Sequence, residues 1–333
     1  MCIFDLDDTL DLTDRRLTVE FLKLDRLGVN FITATGRTNS YVLETCKKNN
    51  IMLPKFIISD NGGLIYDVTQ KRYIKRTTLE AEKRKVILKE YLRLGGLVEN
   101  IRYTDGDFVY AAADQAIREY YRRESSIEYR TNEEIINGLL DEENEITKIT
   151  LAGKKDIMKK LSKAIKEKGV ECFPDGGETK FPKKSRNNYR LDITDGRTSK
   201  GEGVEFLVNY TGIKDFTCIG NGPNDFSMFK FALDSGMPVV VVRTMQNGKI
   251  TEESRELIKR VKEYAESIGR GENVTITNFP ANGLIGKREE RKSIKQRRKA
   301  FVQEISVPKE VTSTACDTRI NQRNIRRTQD RGK

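Results

Sequence analysis

Two periods of apolar residues share this chain, and the places where one gives way to the other mark its elements. MCIF is a short apolar run ending at Asp5, which predicts a buried strand. Arg16 to Leu27 has helical spacing and stops at Gly28, as a helix C-terminus would. VNFITATGR predicts a second apolar strand running into a polar loop, and a helix follows through Tyr41 to Lys48. KFIISDNGGLIYD then predicts two strands around an Asn-Gly turn. Strand, helix, strand, with polar residues gathered at the strand ends, is the pattern of a parallel α/β sheet.

From about Arg72 to Tyr189 the pattern changes. This stretch is highly charged, with a predicted helix from Glu80 to Leu92, short strands at FVYAA and KITLAG, and a helix from Lys155 to Lys168. VECF and YRLDIT predict further strands, and the set suits a smaller α+β domain. The α/β pattern then resumes with a helix near Gly201 to Tyr210, the strand FTCIG, a helix near Asn224 to Leu233 and the strand MPVVVV. The middle therefore reads as an insertion. The expected organisation is a discontinuous core at 1–72 and 189–286, an inserted domain at 73–188, and a tail at 287–333. That tail has few apolar residues and no sustained period, the composition of a disordered segment.

Charge sharpens this division. Between Lys287 and Lys333 there are 15 Lys and Arg against 6 Asp and Glu, so the tail carries +9 of the chain's +11 and the body is nearly neutral. A near-neutral body argues against a nucleic-acid-binding protein; any such contact would be made by the tail, through phosphates and without sequence preference. No apolar run approaches the roughly 20 residues of a membrane span, and the N-terminus has no secretory pattern. The five cysteines lie far apart without a CxxC pair, as reduced thiols of a cytoplasmic protein would. Histidine is absent, which excludes His-based triads and imidazole–metal sites. Chemistry must come from carboxylates, lysine, hydroxyls or a hard cation.

Four stretches offer such chemistry. In FDLDDT, residues i and i+2 of a strand point the same way, roughly 6.5 Å apart, so Asp5 and Asp7 would share a face. The pair suits a Mg2+ site, a nucleophile beside an acid/base, or simply a solvated turn. In ITATGR, a hydroxyl (Thr33 or Thr35) and Gly36 at a strand end can present an O–H and bare amides to an anion, or form an ordinary turn. In DGRTSKGEG, Lys200 opens a helix, where a cation is disfavoured by the helix dipole unless it serves an anionic ligand or is solvated. In IGNGPNDFSMF, Gly220, Gly222 and Pro223 build a tight loop. Asn224 there can cap a helix, while Asn221 and Asp225 can be oxygen ligands for a hard cation.

In this order the four stretches resemble the motifs of the haloacid dehalogenase superfamily, specifically the Cof-like sugar phosphatases with a large α/β cap. Asp5-Leu6-Asp7-Asp8-Thr9 matches DxDxT, Thr35-Gly36-Arg37 matches TGR, and Ser59-Asp60-Asn61-Gly62-Gly63 is similar to the SNGA-type segment. LDITDGRTSKGEGVEFL resembles the strand, lysine and helix that close the cap; GNGPNDFSMF resembles GDxxND, and VTITNFPANGLIG the closing segment. The resemblance implies a Rossmann-like parallel-sheet core with an inserted α+β cap. It also implies a Mg2+-dependent phosphatase acting through an aspartyl-phosphate on a small phosphorylated metabolite, a sugar phosphate first. Asp5 would be nucleophile and metal ligand, and Asp7 acid/base with its carbonyl on the metal. Thr35, Gly36, Lys200 and Asn224 would hold the phosphoryl group, Arg37 and Asn61 would line the substrate side, and Asp225 would anchor Mg2+. One position departs from the pattern: Asn221 stands where the family has an aspartate, which predicts weaker Mg2+ binding. A phosphomutase or other phosphotransferase would need the same residues, and a weakened binding protein is the non-enzymatic alternative.

Overall fold

The computed structural model describes residues 1–6, 9, 30–94, 97–103, 109–111, 127–129, 131–168, 170–174, 189–246 and 248–277. The helix expected at Arg16–Leu27 and the basic tail at 287–333 lie outside them, as do Asp7 and Asp8. The chain opens with β1 (Cys2–Phe4), β2 (Phe31–Ala34), α1 (Asn39–Lys48), β3 (Phe56–Ser59), β4 (Leu64–Asp67) and β5 (Arg72–Arg76). The insertion holds α2 (Ala81–Leu94), β6 (Leu97–Tyr103), β7 (Val109–Ala111), β8 (Ile127–Tyr129), α3 (Asn132–Leu140), β9 (Ile146–Gly153), α4 (Lys155–Lys166), β10 (Val170–Pro174) and β11 (Tyr189–Asp195). The chain returns through α5 (Lys200–Thr211), β12 (Thr217–Gly220), α6 (Phe226–Asp234), β13 (Val239–Val242), β14 (Met245–Gln246), β15 (Lys249–Ile250), α7 (Glu252–Ser267) and β16 (Val274–Thr277).

The main sheet has the order β16-β13-β12-β1-β2-β3-β4-β5, parallel from β16 to β3 and closed by the antiparallel strands β4 and β5. Strands covered on both faces cannot alternate, which is why CIF, FITA, FIIS and VVVV are apolar but for Thr33 and Ser59, with every residue buried. Alternate side chains of these strands, among them Ile3, Ile32, Ile58 and Val241, pack with Val204 and Leu207 of α5, Met228 and Phe229 of α6, and Leu257 and Val261 of α7. β1 lies between β2 and β12, so the chain leaves it to one side and comes back on the other. Such a reversal opens a crevice at the carboxyl ends of the strands, and Asp5 stands at its centre.

The insertion has its own sheet, β10-β11-β9-β6-β7-β8, and its own apolar cluster. Ile149 and Leu151 of β9 and Leu191 and Ile193 of β11 pack beneath Ile87 and Tyr91 of α2, Leu139 of α3 and Leu161 of α4. β11, counted among the strands of the insertion but cut from it by the boundary at 188/189, is hydrogen-bonded to β9 and β10, and Arg72–Arg76 pairs with β4. Both edges of the insertion thus shift a few residues towards the C-terminus, because strand pairing is invisible to a one-dimensional pattern.

The linker at the end of β11 is clamped. Burial alone would raise the Asp195 carboxyl, but hydrogen bonds from Arg197 (2.6 Å) and Lys83 (2.8 Å) outweigh it and hold the carboxyl at about 2. Buried Cys46 is pushed up to about 12 by burial, and Cys2 and Cys218 are raised for the same reason, so these three thiols are inert core residues. No helix among the described residues is long and apolar enough to cross a membrane.

Candidate active site

Asp5 follows β1 directly, and its backbone N–H is tied to the Ile219 carbonyl of β12 at 2.8 Å. The residue is 4% exposed. Its Oδ1 accepts from the Lys200 ammonium at 2.6 Å, and Oδ2 lies 3.1 Å from the Thr9 hydroxyl oxygen. The same ammonium donates to Asp225 Oδ1, also at 2.6 Å. One cation therefore joins the end of β1 to the loop after β12. Burial disfavours the charged lysine, but attraction to Asp225 and Asp5 and the two hydrogen bonds outweigh that cost and raise its pKa. Lys200 is an ammonium across the physiological range. The dipole penalty of a lysine at the start of α5 is offset by these carboxylates, which answers why it stands there.

Asp225 is the clasp of its own loop. Its Oδ2 accepts the backbone N–H groups of Asn221 and Gly222, each at 2.8 Å. A Cβ on Gly220 would lie 2.4 Å from that oxygen, so only glycine lets the loop fold this tightly. Asn221 has both ends of its amide engaged: Oδ1 accepts from Thr9 Oγ1 at 2.5 Å, and Nδ2 donates to Thr244 Oγ1 at 2.8 Å. Thr9 thus bridges Asp5 and Asn221. Asn224 is not the helix cap that its place in the sequence suggests. It lies in a single 3-10 turn, Pro223–Asp225, and its amide donates to Asn61 Oδ1 at 3.0 Å.

The remaining two stretches close the crevice. Thr35 is fully buried after β2, and its hydroxyl accepts the Arg37 N–H at 3.0 Å. The Arg37 guanidinium sits 5.0 Å from the Tyr41 ring centroid. The β3–β4 connection is longer than the two-residue Asn-Gly turn expected from the sequence. It is a 3-10 turn in which Asp60 (φ 49°), Asn61 (φ 55°) and Gly62 (φ 104°) all have positive φ. A Cβ on Gly62 would meet the Ser199 carbonyl oxygen at 2.0 Å, so the turn is pressed onto the start of α5. Gly62→Ala is therefore expected to unseat the turn and Lys200 together, at a cost above the usual ~1–3 kcal/mol of a strained backbone position. A thermal melt and a turnover assay on that variant measure it; unchanged values would contradict the contact. Asn61 faces Gly36, where an added Cβ would be 3.4 Å from its Oδ1.

Nine of the ten residues singled out from the sequence are described. Asp5, Asn221, Asp225 and Lys200 form one hydrogen-bonded group with Thr9; Thr35, Gly36, Arg37, Asn61 and Asn224 form the adjoining rim. Asp7 lies outside the described residues. The sequence reading misses Thr147, Lys148 and Asp192, which approach this rim from the insertion, and Thr244, which holds Asn221. A lysine that is the one charged residue of the strand ITKITLAG is the available signal.

The donor chemistry can be tested against a hard cation. Among the described residues no three His, Cys, Asp or Glu side chains are grouped to hold a metal. What is brought together is two buried carboxylates, Asp5 and Asp225, joined by Lys200, and the Asn221 carboxamide oxygen, linked to Asp5 through Thr9. An all-oxygen set with few protein ligands is how Mg2+ is usually held, with water completing the shell. The residues fit.

A family model of haloacid dehalogenase-like hydrolases matches residues 2–250. The chain belongs to the haloacid dehalogenase-like hydrolases. Solved structures share this hydrolase's fold at low identity. A subclass IIB sugar phosphatase of the superfamily is 17% identical, with a TM-score of 0.59 over 90% of this chain and 98% of that one. A Bacillus subtilis haloacid dehalogenase-like hydrolase is 16% identical, TM-score 0.61, over 91% and 99%. A Thermotoga maritima protein is 19% identical, TM-score 0.59, over 92% and 97%. At these identities the likeness is one of fold.

Proposed function

We propose that this hydrolase is a Mg2+-dependent phosphatase of small phosphomonoesters, sugar phosphates first, with Asp5 as nucleophile. The observation that carries the reading is the buried Asp5–Lys200–Asp225 group at the strand reversal. An Asp5 oxygen attacks phosphorus, and the bond from phosphorus to the ester oxygen breaks. Asp7, two residues on, protonates the departing alkoxide. In the second half water attacks the aspartyl-phosphate, Asp7 takes its proton, and the bond between Asp5 and phosphorus breaks to release phosphate.

Two anions must meet in the first step. The Lys200 ammonium, the Thr35 hydroxyl and the Gly36 amide are the chain's own means of lowering that repulsion, and Asn224 assists from the opposite wall. Asp5, Asp7, Asn221 and Asp225 would hold Mg2+, which when bound adds positive charge against the transferring group. The inserted domain would act as the cap that selects the leaving group, and its polar side towards Gly36 and Asp60 suits a hydroxyl-rich one. One fold relative is itself a sugar phosphatase, which supports the same choice.

A panel of phosphate esters, assayed with and without Mg2+, tests this reading: turnover of sugar phosphates that requires Mg2+ is expected, and no hydrolysis of any ester would overturn it. Asn221 supplies a second check. Its amide oxygen is already turned towards Thr9 and Asp5, so Asn221→Asp adds a charge without moving the donor, and Thr244 can donate where it now accepts. Mg2+ affinity should rise about tenfold, as one further carboxylate ligand implies, read from Mg2+-dependent thermal shifts and from the Mg2+ dependence of turnover. Unchanged values in both would remove Asn221 from the ligand set.

A further inference from the structure

We infer that Lys148, on the inserted domain, is a positioning residue for the phosphate-binding loop of the main sheet. The inference rests on the proposed phosphatase reading, in which Thr35 and the Gly36 amide hold the phosphoryl group.

The placement of Lys148 begins with a register irregularity. Arg102 of β6 pairs with Lys148, but the next residue, Tyr103, pairs with Ile146, so Thr147 is an extra residue in β9. A bulge of this kind turns two successive side chains to one side. Ile146 and Ile149 remain in the apolar cluster, while Thr147 and Lys148 both reach towards the main sheet. Thr147 Oγ1 donates to Asp60 Oδ2 at 2.8 Å, and Lys148 Nζ donates to the Gly36 carbonyl at 2.8 Å.

Lys148 is only 2% exposed, a costly position for an ammonium unless it is paired and hydrogen-bonded. Its carboxylate partner is Asp192 on β11, whose Oδ2 it meets at 2.8 Å, and Asp192 Oδ1 is held in turn by Thr150 Oγ1 at 2.8 Å. Thr150 and Asp192 are direct cross-strand neighbours, so the sheet itself sets the pair. The ammonium is thus presented by two strands of the insertion to one carbonyl of the main domain.

That carbonyl belongs to the Gly36–Arg37 peptide, whose N–H donates to Thr35 Oγ1 at 3.0 Å. A cation on the carbonyl oxygen polarises the peptide and strengthens its N–H as a donor. With its oxygen accepting from Arg37, the Thr35 hydroxyl keeps its own proton for a phosphoryl oxygen. Lys148, the Gly36 carbonyl, the Arg37 N–H and the Thr35 hydroxyl therefore form one chain of hydrogen bonds from the insertion to the phosphate position. Phosphate binding is completed by a residue that never touches phosphate.

The discriminating probe is inorganic phosphate, which has no leaving group for a cap to recognise. Lys148→Met keeps length and burial but removes the charge and the donor. Phosphate affinity, measured by calorimetry with Mg2+ present and as product inhibition, is expected to weaken about tenfold, the range for a lost charged hydrogen bond. For p-nitrophenyl phosphate, KM should rise by a similar factor with a smaller change in kcat. A residue that only glues the two domains, or only reads the leaving group, would leave phosphate affinity unchanged; that result overturns the inference. If Lys148→Met does not fold, hydrogen exchange on the wild-type protein decides. Added phosphate should slow exchange in residues 146–150 together with 34–38, and protection of 34–38 alone overturns the inference. A wild-type protein that binds no phosphate and cleaves no ester fails differently: it removes the phosphatase reading, and this inference with it.

Discussion

Asp5→Asn is expected to lower turnover by at least roughly 10^4-fold while leaving the protein folded. Asparagine has nearly the shape of aspartate, and its oxygen can still accept from Lys200, which now stands 2.6 Å from Asp5 Oδ1. The new amide would face Thr9, whose hydroxyl oxygen can accept from it. The backbone tie to Ile219 does not involve the side chain at all. What disappears is an anionic oxygen able to attack phosphorus, together with half of the charge facing Lys200. Stability should fall only modestly, because Lys200 keeps Asp225. Steady-state kinetics beside circular dichroism separates the two effects. Turnover within tenfold of wild type in a folded variant would remove Asp5 as nucleophile.

The second large effect is Lys200→Met, and its leading consequence is structural. Removing one partner of a buried ion pair leaves an uncompensated charge, typically costing about 3–5 kcal/mol. Here it leaves two, since Asp5 and Asp225 share the one ammonium and are 4% and 0% exposed. A clear drop in melting temperature is therefore expected without Mg2+. The same two carboxylates are proposed metal ligands, so Mg2+ should raise the melting temperature of the variant more than that of wild type. Turnover should stay depressed by roughly 10^2-fold or more even at saturating Mg2+, because the phosphoryl-binding cation is gone. A variant as stable as wild type without Mg2+ would contradict the pairing itself.

Much of the site is legible in the sequence because its chemistry is concentrated at strand ends. Asp5, Thr35 and Asn221 each follow an apolar run, and a buried strand that stops at a polar residue identifies its carboxyl end without any coordinates. Lys200 and Asp225 are legible as residues out of place, a lysine where a helix dipole disfavours it and an aspartate in a glycine-rich loop. Lys148 is hidden by the opposite circumstance. Its orientation depends on a bulge, and a bulge exists only relative to the strand it pairs with. Asp192 falls in a predicted strand, but nothing in the linear order says that β11 lies beside β9. The turn at Asp60–Gly62 departs from expectation for a related reason: Asn-Gly favours a two-residue hairpin, yet the pressure of Gly62 on the start of α5 selects three consecutive residues with positive φ.

The amino-acid order alone determined the α/β class, the apolar strands that stop at Asp5 and Thr35, and the exclusion of histidine chemistry. All of these depend on local periodicity or on composition, which a chain carries before it folds. Folding in three dimensions was needed to join Asp5 to Asp225 through one ammonium, to fix the Asn221 amide between Thr9 and Thr244, and to bring Lys148 onto Gly36 from the insertion. Those contacts join residues separated by 23 to 212 positions, and hydrogen bonding between them is a matter of distances of 2.5 to 2.8 Å that no spacing along the chain can express.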